Sequence, residues 1–276
     1  MIEYKNVSCS YSTDRKSLNN VSFVINDGER VGLIGANGAG KSTLLKSMVG
    51  LISSEGSIKI NDLSLNKANL NEIRKMVGYV IQDSDNQMFM PTVIDDMVFG
   101  PVNYGMKKEE AVAKATSMLE RLGITYLKDR YNHKISAGEK KMAAIATILT
   151  MEPHMLMMDE PSAALDPRNR RKLITMLNSF KITKLIASHD LDFILDTCDR
   201  VMLIRDGEIV ADGEPVRKTR CEILPPAAMI DIDFRVAEDV IPDICHRLWR
   251  RADRERPGDH HDRRMPAFYP PFDNEF

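Results

Sequence analysis

Apolar and polar positions open the chain in short runs, IEYKNVSCSY, then VSFVI, then ERVGLIG, separated by Asn, Asp and Gly. Runs of this length bounded by turn formers predict strands. The third leads directly into a glycine-rich segment, after which KSTLLKSMVG carries helical spacing and closes at Gly50. SIKI and VGYVI return to strand character, as do MLMMD, KLIAS and VMLIR, the last followed by Asp206-Gly207 and EIVADG, a hairpin signal. Two stretches, about Lys107 to Leu122 and about Ser136 to Met151, hold apolar groups at helical spacing away from the strands. Strand, loop, helix, strand predicts an α/β fold, and the two helical stretches predict a helical subdomain over about 84–152. The chain shows neither an internal repeat nor coiled-coil heptads.

Gly35-Ala36-Asn37-Gly38-Ala39-Gly40-Lys41-Ser42 fits G-x-x-x-x-G-K-[ST] and lies between the strand VGLI and a helix start. Glycines there let backbone N–H groups curl round a β-phosphate, and the helix N-terminus adds positive potential. Lys41 is expected to reach the β- and γ-phosphates, and the Ser42 hydroxyl to ligate Mg²⁺. A flexible glycine turn is the alternative, weakened by the strand and helix on either side. Met155-Leu156-Met157-Met158-Asp159-Glu160 is an apolar strand ending in two acids, which emerge at the strand's C-terminal edge beside the glycine loop. Asp159 is expected to hold Mg²⁺ with Ser42, and Glu160 to polarise a water attacking the γ-phosphorus. The methionines of this strand read as core filling.

In motif order and spacing, residues 1 to 214 resemble the ABC ATPases. Ser136-Ala137-Gly138-Glu139-Lys140 is similar to the family signature, usually Leu-Ser-Gly-Gly-Gln, and Ser162-Ala163-Ala164-Leu165-Asp166 to the D-loop after the acid pair. Gln82, ending VGYVI, matches the Q-loop glutamine, His189 in IASHD the switch histidine, and Tyr11 the aromatic that stacks on adenine. The resemblance implies a P-loop, RecA-like core with an N-terminal antiparallel β subdomain and an inserted α-helical subdomain. It also implies ATP and Mg²⁺ as cofactors, hydrolysis of the ATP, and action as a homodimer or as a heterodimer with another ABC ATPase. The implied nucleotide-binding residues are Tyr11, Gly35, Asn37, Gly38, Gly40, Lys41, Ser42 and Thr43. Ser42, Gln82 and Asp159 are the implied Mg²⁺ ligands, Glu160, His189 and Gln82 the catalytic set, and Asp166 the D-loop acid.

The signature departs from the family pattern at Ala137 and Glu139. Ser136 and Glu139 form S-x-x-E, a capping box that should start the following helix well. In the family this segment presses on ATP held by the partner subunit, with Ser136 and Gly138 retained here. A carboxylate at Glu139 subtracts from the positive potential of the helix N-terminus, and the Ala137 methyl crowds a close approach.

GYVIQDSDNQMFMPTVIDDMVFGPVNYGM resembles most the ATPases of energy-coupling-factor importers, including cobalt and nickel systems. This implies a transmembrane coupling subunit and a separate substrate-binding membrane subunit as partners, on the cytoplasmic side of the cell membrane. Two alternatives stay open: a soluble ABC ATPase outside transport, acting in DNA repair or on ribosomes, and a low-turnover nucleotide-binding regulatory subunit suggested by the altered signature. An adjacent gene for a membrane protein would favour transport, and one for a nuclease would favour repair.

Composition narrows this further. The 43% hydrophobic and 28% charged chain, of net charge -2, has no basic footprint for nucleic acid. No apolar stretch approaches the ~18 to 20 residues of a spanning helix, and MIEYKNVSCS lacks the pattern of a signal peptide, so the expected association with a membrane is peripheral. Cys9, Cys198, Cys221 and Cys245 form no CxxC pair. Residues 1–218 hold 18 Lys and 11 Arg, whereas 219–276 hold no Lys, 9 Arg and 7 of the 13 prolines. The expected boundary is therefore an ATPase domain over 1–217 and an atypical Arg/Pro-rich tail over 218–276. Either a shifted reading frame or a genuine extra segment, disordered in part, accounts for such a change.

Overall fold

The computed structural model describes residues 1–11 and 16–215; the tail assigned to 218–276 lies outside them. Strands β1 (Ile2–Ser10), β2 (Lys16–Ile25), β4 (Ser54–Ile60) and β5 (Leu63–Ser64) form an antiparallel sheet in the order β2-β1-β4-β5. A six-stranded sheet has the order β10-β9-β3-β8-β7-β6, built from β3 (Arg30–Ile34), β6 (Val77–Val80), β7 (Met155–Asp159), β8 (Thr183–Ala187), β9 (Arg200–Arg205) and β10 (Glu208–Gly213). All of its neighbours run parallel except the β9–β10 hairpin. Asp206 and Gly207 turn that hairpin with φ of 49° and 81°, the left-handed pair that matches strand twist.

Helix α1 (Lys41–Met48) lies between the sheets, its Leu44, Leu45 and Met48 packed with Ile2, Tyr4, Val31 and Leu33. The Tyr4 hydroxyl spans this layer, 2.9 Å from Ser47 Oγ and 3.2 Å from the Leu44 carbonyl. Burial of both faces explains why the parallel strands read as unbroken apolar runs rather than alternating ones. In β7, Met155 and Met157 join the layer holding α1, while Leu156 and Met158 face the helices on the other side. Asp159 is therefore the next residue on the α1 face.

Those helices include α3 (Val93–Asn103), α4 (Lys108–Leu122) and α5 (Ala137–Thr150), which share one core with α6 (Pro167–Ser179) and α7 (Leu191–Thr197). Helix α2 (Leu70–Met76) leads into β6. Each end of the helical insert has a local cause. Thr92 caps α3 by accepting from Asp95 N, and Gly123 closes α4 in the left-handed conformation at φ 64°. Ser136 caps α5 in the capping box expected from S-x-x-E. Buried Asp96 accepts from the Phe89 and Met90 N–H groups and from Asn132 Nδ2, fastening the segment before the signature to the loop after β6.

Candidate functional site

The glycine loop leaves β3 and enters α1 through positions that exclude side chains. A Cβ on Gly35 would lie 2.3 Å from the Ile204 carbonyl oxygen, and one on Gly40, whose φ is +113°, would lie 2.7 Å from the Ser17 carbonyl oxygen. Asn37 and Gly38 form the exposed crest. No side chain caps α1, so its first N–H groups are open to an anion in the loop. Lys41 is buried and donates to the carbonyls of Gly35 (2.7 Å) and Ala36 (3.2 Å), across the mouth where a phosphate would lie. Thr43 is buried behind it.

Asp159 is 3% exposed, and its Oδ1 has no hydrogen-bond partner. Burial raises its carboxyl above the usual range, opposed by a hydrogen bond with Ser42 and by the charge of Lys41. An orphaned carboxylate oxygen beside a hydroxyl is a donor set that suits a hard cation such as Mg²⁺.

Glu160 leaves β7 with φ 47°, a strained value for a glutamate that redirects its side chain away from the strand. Its carboxylate accepts from Ser188 Oγ (2.9 Å) and from the His189 main-chain N–H (3.1 Å), and lies 2.8 Å from His189 Nδ1. Glu160 is 5% exposed, whereas the His189 side chain is 67% exposed, so one face of the pair is protected and the other meets solvent. Gln82 is placed by register. Val80, the last residue of β6, is paired with Met158, so two residues further on the chain passes beside Asp159 and Glu160.

The structure thus brings Lys41, Ser42, Asp159, Glu160, His189 and the Gln82 loop to one end of the parallel sheet. Tyr11 stands 62% exposed beyond the end of β1. Ser136, Gly138, Glu139 and Asp166 form a second surface. A Cβ on Gly138 would meet the Ala164 carbonyl at 3.6 Å and Leu165 at 3.7 Å, ordinary contact, so nothing within the chain requires glycine there. Asp166 caps α6 by accepting from the Arg168 and Asn169 N–H groups. Ser136 Oγ donates to Glu139 Oε2 at 2.9 Å, and the Ser136 N–H bonds the same oxygen at 2.9 Å. That backbone bond holds the Glu139 carboxyl below its usual range, so it stays charged.

Sequence reasoning missed Ser188, although it directly precedes His189, and Lys141, which follows the signature. Ser188 is fully buried and accepts from the Asp190 N–H while it donates to Glu160. Among the described residues, Cys9 and Cys198 are buried free thiols.

A glycine loop closing on a helix, with a buried acid pair at the end of a parallel strand and helices inserted between β6 and β7, defines a P-loop nucleotide hydrolase. The profile of the family described as ABC transporter matches residues 18–163. The energy-coupling factor transporter ATP-binding protein EcfA of Carboxydothermus hydrogenoformans is 39% identical over 227 residues, covering 81% of this chain and 84% of that protein. The solved structure of cbiO1 from Clostridium perfringens, part of the ABC transporter complex cbiONQ, superposes with a TM-score of 0.71 at 33% identity, over 78% of this chain and 88% of its own. The ATP-binding cassette MJ0796, solved as a dimer bound to ADP and Pi, gives 0.72 at 25% identity over 78% and 98%. The chain belongs to the ABC transporter family, as an ATP-binding and ATP-hydrolysing subunit. Among the described residues no helix is long and apolar enough to cross a membrane.

Proposed function

We propose that this chain powers an energy-coupling-factor-type importer as a dimer on the cytoplasmic side of the membrane, over an ATPase domain of residues 1–217. Its partners are a transmembrane coupling subunit and a separate substrate-binding membrane subunit. That second subunit, rather than this chain, selects the cargo, whether cobalt, nickel or a vitamin.

The observation that carries the proposal is the segment 81–104. It passes the acid pair at Gln82 and exposes Phe89, Phe99, Val102 and Tyr104, of which Phe89 and Phe99 pack edge to face. Exposed aromatics of this kind mark a protein contact. The segment therefore joins the nucleotide site to an exposed aromatic surface.

In the site, the P-loop N–H groups and Lys41 bind the phosphates. Ser42, Asp159 and Gln82 would hold Mg²⁺, which supplies charge neutralisation at the phosphate oxygens. Glu160, oriented by Ser188 and His189, accepts the proton of the attacking water. Tyr11 offers a face to adenine. Ser136 and Gly138, with Asp166 nearby, address ATP on a partner cassette. The Ser136 hydroxyl hydrogen is committed to Glu139, which favours a heterodimer in which this signature is the weaker one.

The proposal is tested with Phe89→Ser/Phe99→Ser. The doublet should leave the membrane fraction while the purified chain keeps its basal ATPase rate. Undiminished membrane association would refute the docking role of these aromatics.

A further inference from the structure

Lys141, in the first turns of α5, is 3% exposed, and its ammonium donates to the main-chain carbonyls of Gln82 (2.6 Å) and Ile81 (3.2 Å). A charge in this position is costly, because burial removes its hydration. The same core is filled by Met88, Met97, Met142 and Met158, and a methionine at 141 would occupy comparable space without that penalty. The ammonium is also close enough to the nucleotide site to feel Asp159, Asp83 and Glu160.

Two further tethers join the same pieces. Lys140 pairs with Asp85, and Gln87 accepts from the Ile81 N–H (3.0 Å) while donating to the Ala144 carbonyl (3.3 Å). The start of α5 and the loop 81–87 are therefore held together at three points.

We infer that Lys141 is a positioning residue for Gln82, fixing the loop backbone so that Gln82 completes the cation site formed with Ser42 and Asp159. This rests on the reading of Gln82 as a ligand on the metal side of the acid pair. It also means that a displacement of the signature helix carries the Gln82 loop with it, since the tie is made to the Gln82 carbonyl itself.

The test uses the full chain and a fluorescent ATP analogue, titrated in EDTA and at graded Mg²⁺, with hydrogen exchange measured over 81–88. Lys141→Met should bind the nucleotide normally in EDTA but need about 10- to 100-fold more Mg²⁺ for the metal-dependent gain, the usual effect of losing a group that orients a metal ligand. Exchange over 81–88 should rise, and Lys141→Arg should restore both readouts. If Lys141→Met does not fold, Lys141→Gln serves the same comparison. Gln82→Ala separates the two levels of the inference. If Gln82→Ala loses the Mg²⁺ gain and Lys141→Met keeps it, the positioning role is wrong. If Gln82→Ala keeps it as well, the ligand reading fails and takes the inference with it. An equal loss of affinity with and without Mg²⁺ in Lys141→Met would show a packing defect and overturn the inference.

Discussion

Glu160→Gln removes a base while retaining almost the same shape. The glutamate carboxylate accepts from two donors, Ser188 Oγ at 2.9 Å and the His189 N–H, shared between its oxygens at 3.1 and 3.3 Å, and sits 2.8 Å from His189 Nδ1. A glutamine keeps one acceptor oxygen and turns an NH₂ donor toward groups that already donate. The loss of one buried bond should cost about 1–2 kcal/mol, or about 2–6 °C in melting temperature for a domain of this size. The effect on chemistry should be larger. General-base catalysis contributes about 10²- to 10⁴-fold, equivalent to about 3–5 kcal/mol in the barrier. Lys41, the P-loop and Asp159 are unchanged, so ATP should still bind and the variant should accumulate as an ATP-bound dimer. Phosphate release and size-exclusion chromatography with Mg·ATP measure the two effects. Glu160→Ala is the control, because it leaves Ser188 and the His189 N–H without this acceptor and should melt lower than Glu160→Gln. A wild-type rate of phosphate release in Glu160→Gln would refute the assignment of the base.

Two other predictions concern charge. Ala137→Gly with Glu139→Gln retains a capping-box acceptor but removes the carboxylate and a methyl, so steady-state turnover of a homodimer should rise several-fold; no rise would show that the capping-box sequence already serves the partner's ATP fully. Lys184 is fully buried with its amine 2.5 Å from the Phe180 carbonyl, and burial lowers its pKa to about 8. The unfolded chain, with an ordinary lysine pKa of about 10.4, then binds more protons than the folded one between pH 8 and 10.4, so this group makes stability rise with pH across that window, by up to about 3 kcal/mol. Denaturant unfolding should show that slope in wild type and a flatter one in Lys184→Met; parallel slopes would contradict the assignment.

The readability of this site in sequence followed from how local each signal was. The P-loop was legible because its glycines, lysine and serine lie within eight consecutive positions between a strand and a helix. The capping box at Ser136 and Glu139 was legible for the same reason, and it forms as expected. Gln82 and His189 were visible only through resemblance, since a lone glutamine or histidine after a strand carries no chemistry of its own. Ser188 and Lys141 depend on tertiary placement: Ser188 on β8 lying beside β7, and Lys141 on α5 packing over the end of β6. Helix α3 has no clean helical pattern because Gly100 and Pro101 interrupt it, whereas α6 carries a local signal in Asp166-Pro167, a cap followed by proline.

Attachment of this cassette to a membrane coupling protein is checked by purifying the tagged full chain from detergent-solubilised membranes and identifying its companions by mass spectrometry. The expected companion is a polytopic membrane protein without an ATPase domain of its own, in a complex that persists with Mg·ATP and is lost in Phe89→Ser/Phe99→Ser. Recovery of the chain only from the soluble fraction, or with a nuclease or ribosomal proteins and no membrane subunit, would contradict that attachment.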